Sequence, residues 1–110
     1  MSQKLEKWIE RKRFLLNLSY GEVAEDLDVS TEQLFYFFRM YVGKEFRVWR
    51  KEMRILEAQR LMAGNPGMSL STIGSYVGIS DKGNFRRAFI EATGMTPKEW
   101  EARYVRKSRK

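Results

Sequence analysis

Lys82, Asn84, Arg86 and Arg87 fall within six residues of one another. Arginine or lysine can pair with O6 and N7 of guanine, and asparagine with N6 and N7 of adenine, so this group has the chemistry to read base edges. A second group is more mixed: Glu32, Gln33, Phe35, Tyr36 and Arg39. There a carboxylate can accept from N4 of cytosine, and an aromatic ring can touch the methyl group of thymine. Covalent chemistry has fewer resources. The chain holds no cysteine and no histidine, which excludes disulfide scaffolds, thiolate nucleophiles, histidine triads and His/Cys zinc sites. No clustered carboxylate pair and no phosphate-cradling glycine loop stands in the sequence, so neither an enzyme nor a bound metal or cofactor is expected.

At 110 residues the chain suits one domain, or two very small ones. Hydrophobic residues make up 43% and charged residues 32%, a balance that can bury a core and argues against wholesale disorder. No apolar run approaches the ~18 residues of a membrane span and no charged-then-apolar leader opens the chain, so no membrane contact is expected from this segment. The lack of cysteine is compatible with a reducing cytoplasm, the expected compartment. The formal charge of +7 is spread unevenly: residues 1–43 carry six basic and seven acidic side chains, the remainder fifteen and seven. That surplus points to an acidic partner, with nucleic acid ahead of a membrane surface because no basic amphipathic helix stands alone. The closing Arg103, Arg106, Lys107, Arg109 and Lys110 read as solvated charge.

Helices must position these groups. Leu5, Trp8, Ile9, Leu15 and Leu16 recur at three- and four-residue steps and predict an amphipathic helix over residues 3–16. Ser19 with Glu22, Ser30 with Gln33 and Thr96 with Glu99 have capping-box spacing, Pro97 takes the favoured first helical position, and Ser69 marks a further start. Gly43, Gly78 and Gly94 sit where helices should stop. The longest helix is expected from Lys44 to Met62, with Phe46, Trp49, Met53, Leu56 and Leu61 among its apolar positions, ended by Ala63-Gly64-Asn65-Pro66-Gly67. No period-two run competes, and the fold class is all-α.

An internal repeat organises the chain. Val23, Ala24, Leu27, Val29 and Ser30 recur fifty residues later as Ile73, Gly74, Val77, Ile79 and Ser80. Past the turn the offset is fifty-one: Leu34, Phe38, Gly43 and Trp49 match Phe85, Phe89, Gly94 and Trp100, so one residue is inserted where the second copy's second helix begins. Each copy reads as helix, short turn, helix. Ala24 and Gly74 are small where two helices cross closely, and Asp28 and Gly78 tolerate a left-handed turn. Val29 and Ile79 anchor the turn, and a serine caps the next helix. Leu34, Phe37, Phe38 and Val42 are expected to face the first core, and Phe85, Ala88 and Phe89 the second. A helical hairpin of this kind can be purely structural, or its outer face can enter the major groove of DNA.

The stretch from Ile73 to Phe89, closed by Gly94-Met95-Thr96-Pro97, resembles the signature of AraC/XylS-type transcriptional regulators. Arg54-Ile55-Leu56-Glu57-Ala58-Gln59-Arg60-Leu61-Met62 is similar to that family's linker helix, and Ser30, Leu34, Phe38 and Gly43 match the pattern of its first repeat. The resemblance covers residues 5–103. It implies seven helices in two helix-turn-helix subdomains, here residues 1–43 and 64–110 (the latter with the basic tail), joined by a linker helix over 44–63. It also implies a bacterial, cytoplasmic regulator that binds double-stranded DNA sequence-specifically through recognition helices in adjacent major grooves, acting as an activator with RNA polymerase as a second partner. Family members commonly carry an inducer-binding segment, and none is visible in these residues; the chain is either part of a longer regulator or a short stand-alone member.

On the second recognition helix the family's base-reading positions fall on Lys82, Gly83, Arg86 and Arg87, although an arginine in such a site can instead brace a phosphate or a neighbouring helix. The first recognition helix departs from the family, which often has polar or basic readers where Phe35 and Tyr36 stand. Phe35-Tyr36-Phe37-Phe38 cannot all face inward on one helix. Three outcomes are open for the surplus aromatics: contact with thymines, a protein interface, or burial against the first helix. Arg47, Arg50, Lys51 and Arg54 form a basic run expected to be mostly solvated, with one or two touching phosphate. The competing function is a protein-interaction module in which the exposed Phe35/Tyr36 surface docks polymerase or another regulator.

Overall fold

Backbone N–H groups at a helix start have no partner within the helix, and a short polar side chain just before it can accept from one of them. Among the described residues, five helices begin that way. The computed structural model describes residues 1–105. Among these it contains α1 (Ser2–Glu10), α2 (Tyr20–Asp26), α3 (Thr31–Phe37), α4 (Phe46–Gly64), α5 (Leu70–Tyr76), α6 (Lys82–Thr93) and α7 (Pro97–Trp100), with no strand. Arg106, Lys107, Arg109 and Lys110 of the basic tail lie outside the described residues. Ser19, Ser30 and Thr96 each complete a reciprocal capping box, with Glu22, Gln33 and Glu99 respectively. Ser69 accepts from Thr72 N–H and Asp81 from Asn84 N–H. Ser80 does not cap α6, contrary to the repeat-based expectation. The inserted residue puts Asp81 at the capping place, with its Oδ1 2.7 Å from Asn84 N.

The chain divides into two compact units, Met1–Arg50 and the part from Lys51 onward. The first unit closes around Leu5, Trp8, Phe14, Val23, Leu27, Leu34, Phe38 and Phe46, all buried. Phe38 meets Phe46 and Trp49 edge-on, with ring centroids 5.2 and 5.1 Å away. The first helix is shorter than its apolar spacing predicts. It stops at Glu10, Lys12 turns left-handed (φ 56°), and a 3₁₀ turn over Arg13–Leu15 follows. That turn buries Phe14 and lets Arg13 grip Asp26, with Nε and Nη2 at 2.8 and 3.0 Å from the two carboxylate oxygens. Trp8 Nε1 donates to Oδ2 of the same carboxylate at 3.0 Å, tying α1 to α2. Phe37 and Val42 are half-buried, not core. A single π-helical turn (Phe38–Val42) prolongs α3 and closes on left-handed Gly43.

The second unit buries Ile55, Ala58, Leu61 and Met62 of α4 together with Ile73, Val77, Phe85, Ala88 and Phe89. Phe89 meets Trp100 at 6.0 Å, as Phe38 meets Trp49 in the first unit. Leu56, expected on the apolar face of α4, is 60% exposed, because the buried stripe runs through Ile55, Ala58 and Met62 instead.

The turns repeat bond for bond. Val29 N–H donates to Ala24 O at 3.0 Å, and Ile79 N–H to Gly74 O at 2.8 Å. Asp28 (φ 56°) and Gly78 (φ 84°) hold the left-handed position.

Candidate nucleic-acid interface

The buried positions of α6 decide what it shows. Phe85, Ala88 and Phe89 face the core, which leaves Lys82, Gly83, Asn84, Arg86 and Arg87 exposed. Lys82 and Arg86 are one helical turn apart and therefore share a stripe. That stripe borders an open groove of about 980 Å³ that also includes Ser69, Ser71, Lys98 and Glu101. Lys98 was not singled out in the sequence; its signal was its place two residues after the Thr96 cap, on the first turn of α7. Backbone and hydroxyl hydrogen bonds from Thr96 hold the Glu99 carboxyl below the usual range, and the charge of Arg86 adds to the shift.

Asn84 and Arg87 are coupled. Arg87 Nη2 donates to Asn84 Oδ1, which leaves Asn84 its amide hydrogens for an outside acceptor. Gly83 gives this arrangement room, since a Cβ there would stand 3.3 Å from Asp81 Oδ1 and 3.5 Å from Arg87 Nη1.

On α3, Leu34 and Phe38 are buried, and Glu32, Gln33, Phe35, Tyr36 and Arg39 are exposed. Phe35 is 48% and Tyr36 65% exposed, so burial against the first helix is ruled out for both. Gln33 Oε1 accepts from Ser30 N–H at 2.9 Å, so its carboxamide serves the cap first. Arg39 lays its guanidinium over the Phe35 ring, 5.7 Å from the centroid. Phe35 and Arg39 border a second groove of about 450 Å³ together with Tyr20, Lys44 and Arg47.

The basic run on α4 separates into two kinds of residue. Arg47 and Lys51 are exposed. Arg50 Nη1 donates to Leu18 O at 2.8 Å, and its guanidinium lies 5.1 Å from the Phe46 centroid; burial lowers its pKa. Arg54 is buried, with Nη1 3.4 Å from Gly78 O. Both hold the fold, contrary to the expectation of solvated charge. The signal for Arg54 was its spacing of four from buried Ala58, which puts the two on one face.

Residues 23–103 match a family profile described as a helix-turn-helix domain. The arabinose operon regulatory protein of Escherichia coli (strain K12) is 33% identical over 86 residues, which are 78% of this chain and 29% of that protein. The chain thus spans under a third of that relative's length. Among solved structures, the C-terminal domain of AraT, a response regulator from Geobacillus stearothermophilus, superposes with a TM-score of 0.77 at 25% identity, over 86% of this chain and 78% of that one. A transcriptional regulator from Chromobacterium violaceum, described as containing an AraC-type DNA-binding domain, gives 0.74 at 27% identity, over 81% and 79%. The profile and the solved AraC-type domains place the chain in the class of helix-turn-helix DNA-binding domains. The chain belongs to the AraC/XylS-type helix-turn-helix family.

Proposed function

We propose that the two units enter adjacent major grooves of double-stranded DNA and that α6 reads bases through Lys82, Arg86 and the coupled pair Asn84 and Arg87. Lys82 and Arg86 one turn apart on the open face of α6, above buried Phe85 and Phe89, carry this reading. Glu32, Gln33, Phe35, Tyr36 and Arg39 form the corresponding face of α3. Lys98, Arg47 and Lys51 supply exposed cations for phosphates, which fix register without reading sequence. The subdomain limits proposed from the repeat, 1–43 and 64–110 around a linker helix, follow the same logic. The chain acts in the cytoplasm and raises transcription of its targets.

Selection of bound sequences from a random duplex pool, followed by anisotropy titration at two salt concentrations, tests this. The expected result is two short elements about 10 bp apart, with a log–log salt slope of about −0.9 per phosphate contacted. A single short element would mean that only α6 engages.

A second reading has the exposed aromatics of the first unit dock RNA polymerase or another regulator. Met40 and Tyr41, 71% and 81% exposed beside Tyr36, favour it. Absence of salt-sensitive DNA binding in the same titration would select it.

A further inference from the structure

We infer that the first unit recognises the C5 methyl group of thymine, with Tyr36 and Phe35 as its specificity-determining residues. The inference rests on the reading of α3 as a groove-entering helix.

The helices α3 and α6 share one register. Ser30 and Asp81 cap them, and Leu34 and Phe38 are buried where Phe85 and Phe89 are buried. Phe35 and Tyr36 therefore occupy the places that Arg86 and Arg87 hold in the second unit. Polar groups before them on α3 serve the fold, and the Arg39 guanidinium lies over the Phe35 ring, 5.7 Å from its centroid. Ser30 Oγ accepts from Gln33 N–H at 3.0 Å, Gln33 Oε1 returns the bond, and Thr31 O takes the Tyr20 hydroxyl at 3.4 Å. The Phe35 and Tyr36 rings meet edge to face, with centroids 6.1 Å apart, and form one continuous exposed surface. The major groove presents donors and acceptors at every base pair, but its apolar feature is the thymine methyl. An apolar surface at base-reading positions matches that feature. A protein partner would also accept an apolar surface, but the equivalence with Arg86 and Arg87 favours DNA.

The test replaces each dT of the selected duplex by dU, one at a time, in binding assays with the full chain. This removes a methyl group and leaves base pairing intact. At one or more thymines outside the element whose preference Arg86→Ala relaxes, affinity is expected to fall about fourfold, the effect of one methyl group returned to water. In Tyr36→Ala or Phe35→Ser, with helicity checked by circular dichroism, dT and dU duplexes are expected to bind equally at that position. If Phe35→Ser fails to fold, the more exposed Tyr36 carries the test. No sensitive thymine, or sensitivity undiminished in the folded variants, overturns the inference. Failure of the parent reading looks different: no duplex is selected, or Arg86→Ala leaves affinity and preference unchanged.

Discussion

Arg87 donates to Asn84 Oδ1 across one turn of α6, so two candidate readers act as one group. Removing either side chain frees the other, and their effects on DNA affinity should not add. A double-mutant cycle of Asn84→Ala and Arg87→Ala is expected to give a coupling energy of about 0.5–3 kcal/mol. Additive losses would mean that each contacts DNA independently.

Arg86 and Lys98 border one groove but should differ in kind. Arg86→Ala is expected to weaken binding by about 1–3 kcal/mol and to relax preference at one base pair. Lys98→Ala should weaken binding uniformly across sequences and lower the salt slope by about one unit. Titrations on the selected duplex and its single-base variants separate these effects.

The helix-turn-helix turns predict where small residues are required. A Cβ on Gly74 would stand 2.8 Å from Ile79 O and 3.4 Å from Phe85 Cγ, so Gly74→Ala should destabilise the fold by about 1–3 kcal/mol. Gly78→Ala places a side chain at φ 84°, at a cost of about 1–2 kcal/mol. Asp28→Gly, at the same place in the first turn, should cost little or stabilise. Urea unfolding midpoints check all three.

Acid should loosen the first unit. Arg13, burial-opposed but dominant, and then Trp8 hold the Asp26 carboxyl below its ordinary value. A carboxyl depressed in the folded state contributes stability that is present above its unfolded pKa of about 3.9 and is lost as pH falls through the lower folded value. Glu22 and Glu99, depressed by their capping bonds, act in the same direction. Thermal unfolding midpoints should fall below about pH 4, and Asp26→Asn should flatten that dependence; equal slopes for both proteins would remove Asp26 as a contributor.

Local signals were legible and long-range ones less so. Capping residues and left-handed turn positions depend on neighbours within a few residues, so Ser19, Ser30, Ser69, Thr96, Asp28 and Gly78 could be read directly. The cap of α6 required following the inserted residue one position further, to Asp81. The early end of α1 accompanies an Arg13–Asp26 contact between residues thirteen apart, which apolar periodicity does not encode. Arg50 and Arg54 look like surface charge until their carbonyl partners, Leu18 and Gly78, are brought to them by folding. The outward face of α6 was readable because Phe85 and Phe89 fix its orientation, but the Asn84–Arg87 bond depends on rotamers.

Because Ser30/Asp81, Leu34/Phe85 and Phe38/Phe89 anchor the two helices alike, the outward side chains form an interchangeable cassette. Exchanging the outward side chains at positions 31, 32, 35 and 36 for those of Lys82, Gly83, Arg86 and Arg87 leaves the buried anchors and the Gln33 capping bond in place. The scaffold thus separates the grammar of folding from the vocabulary displayed on it, and one frame could be rewritten to spell different operators.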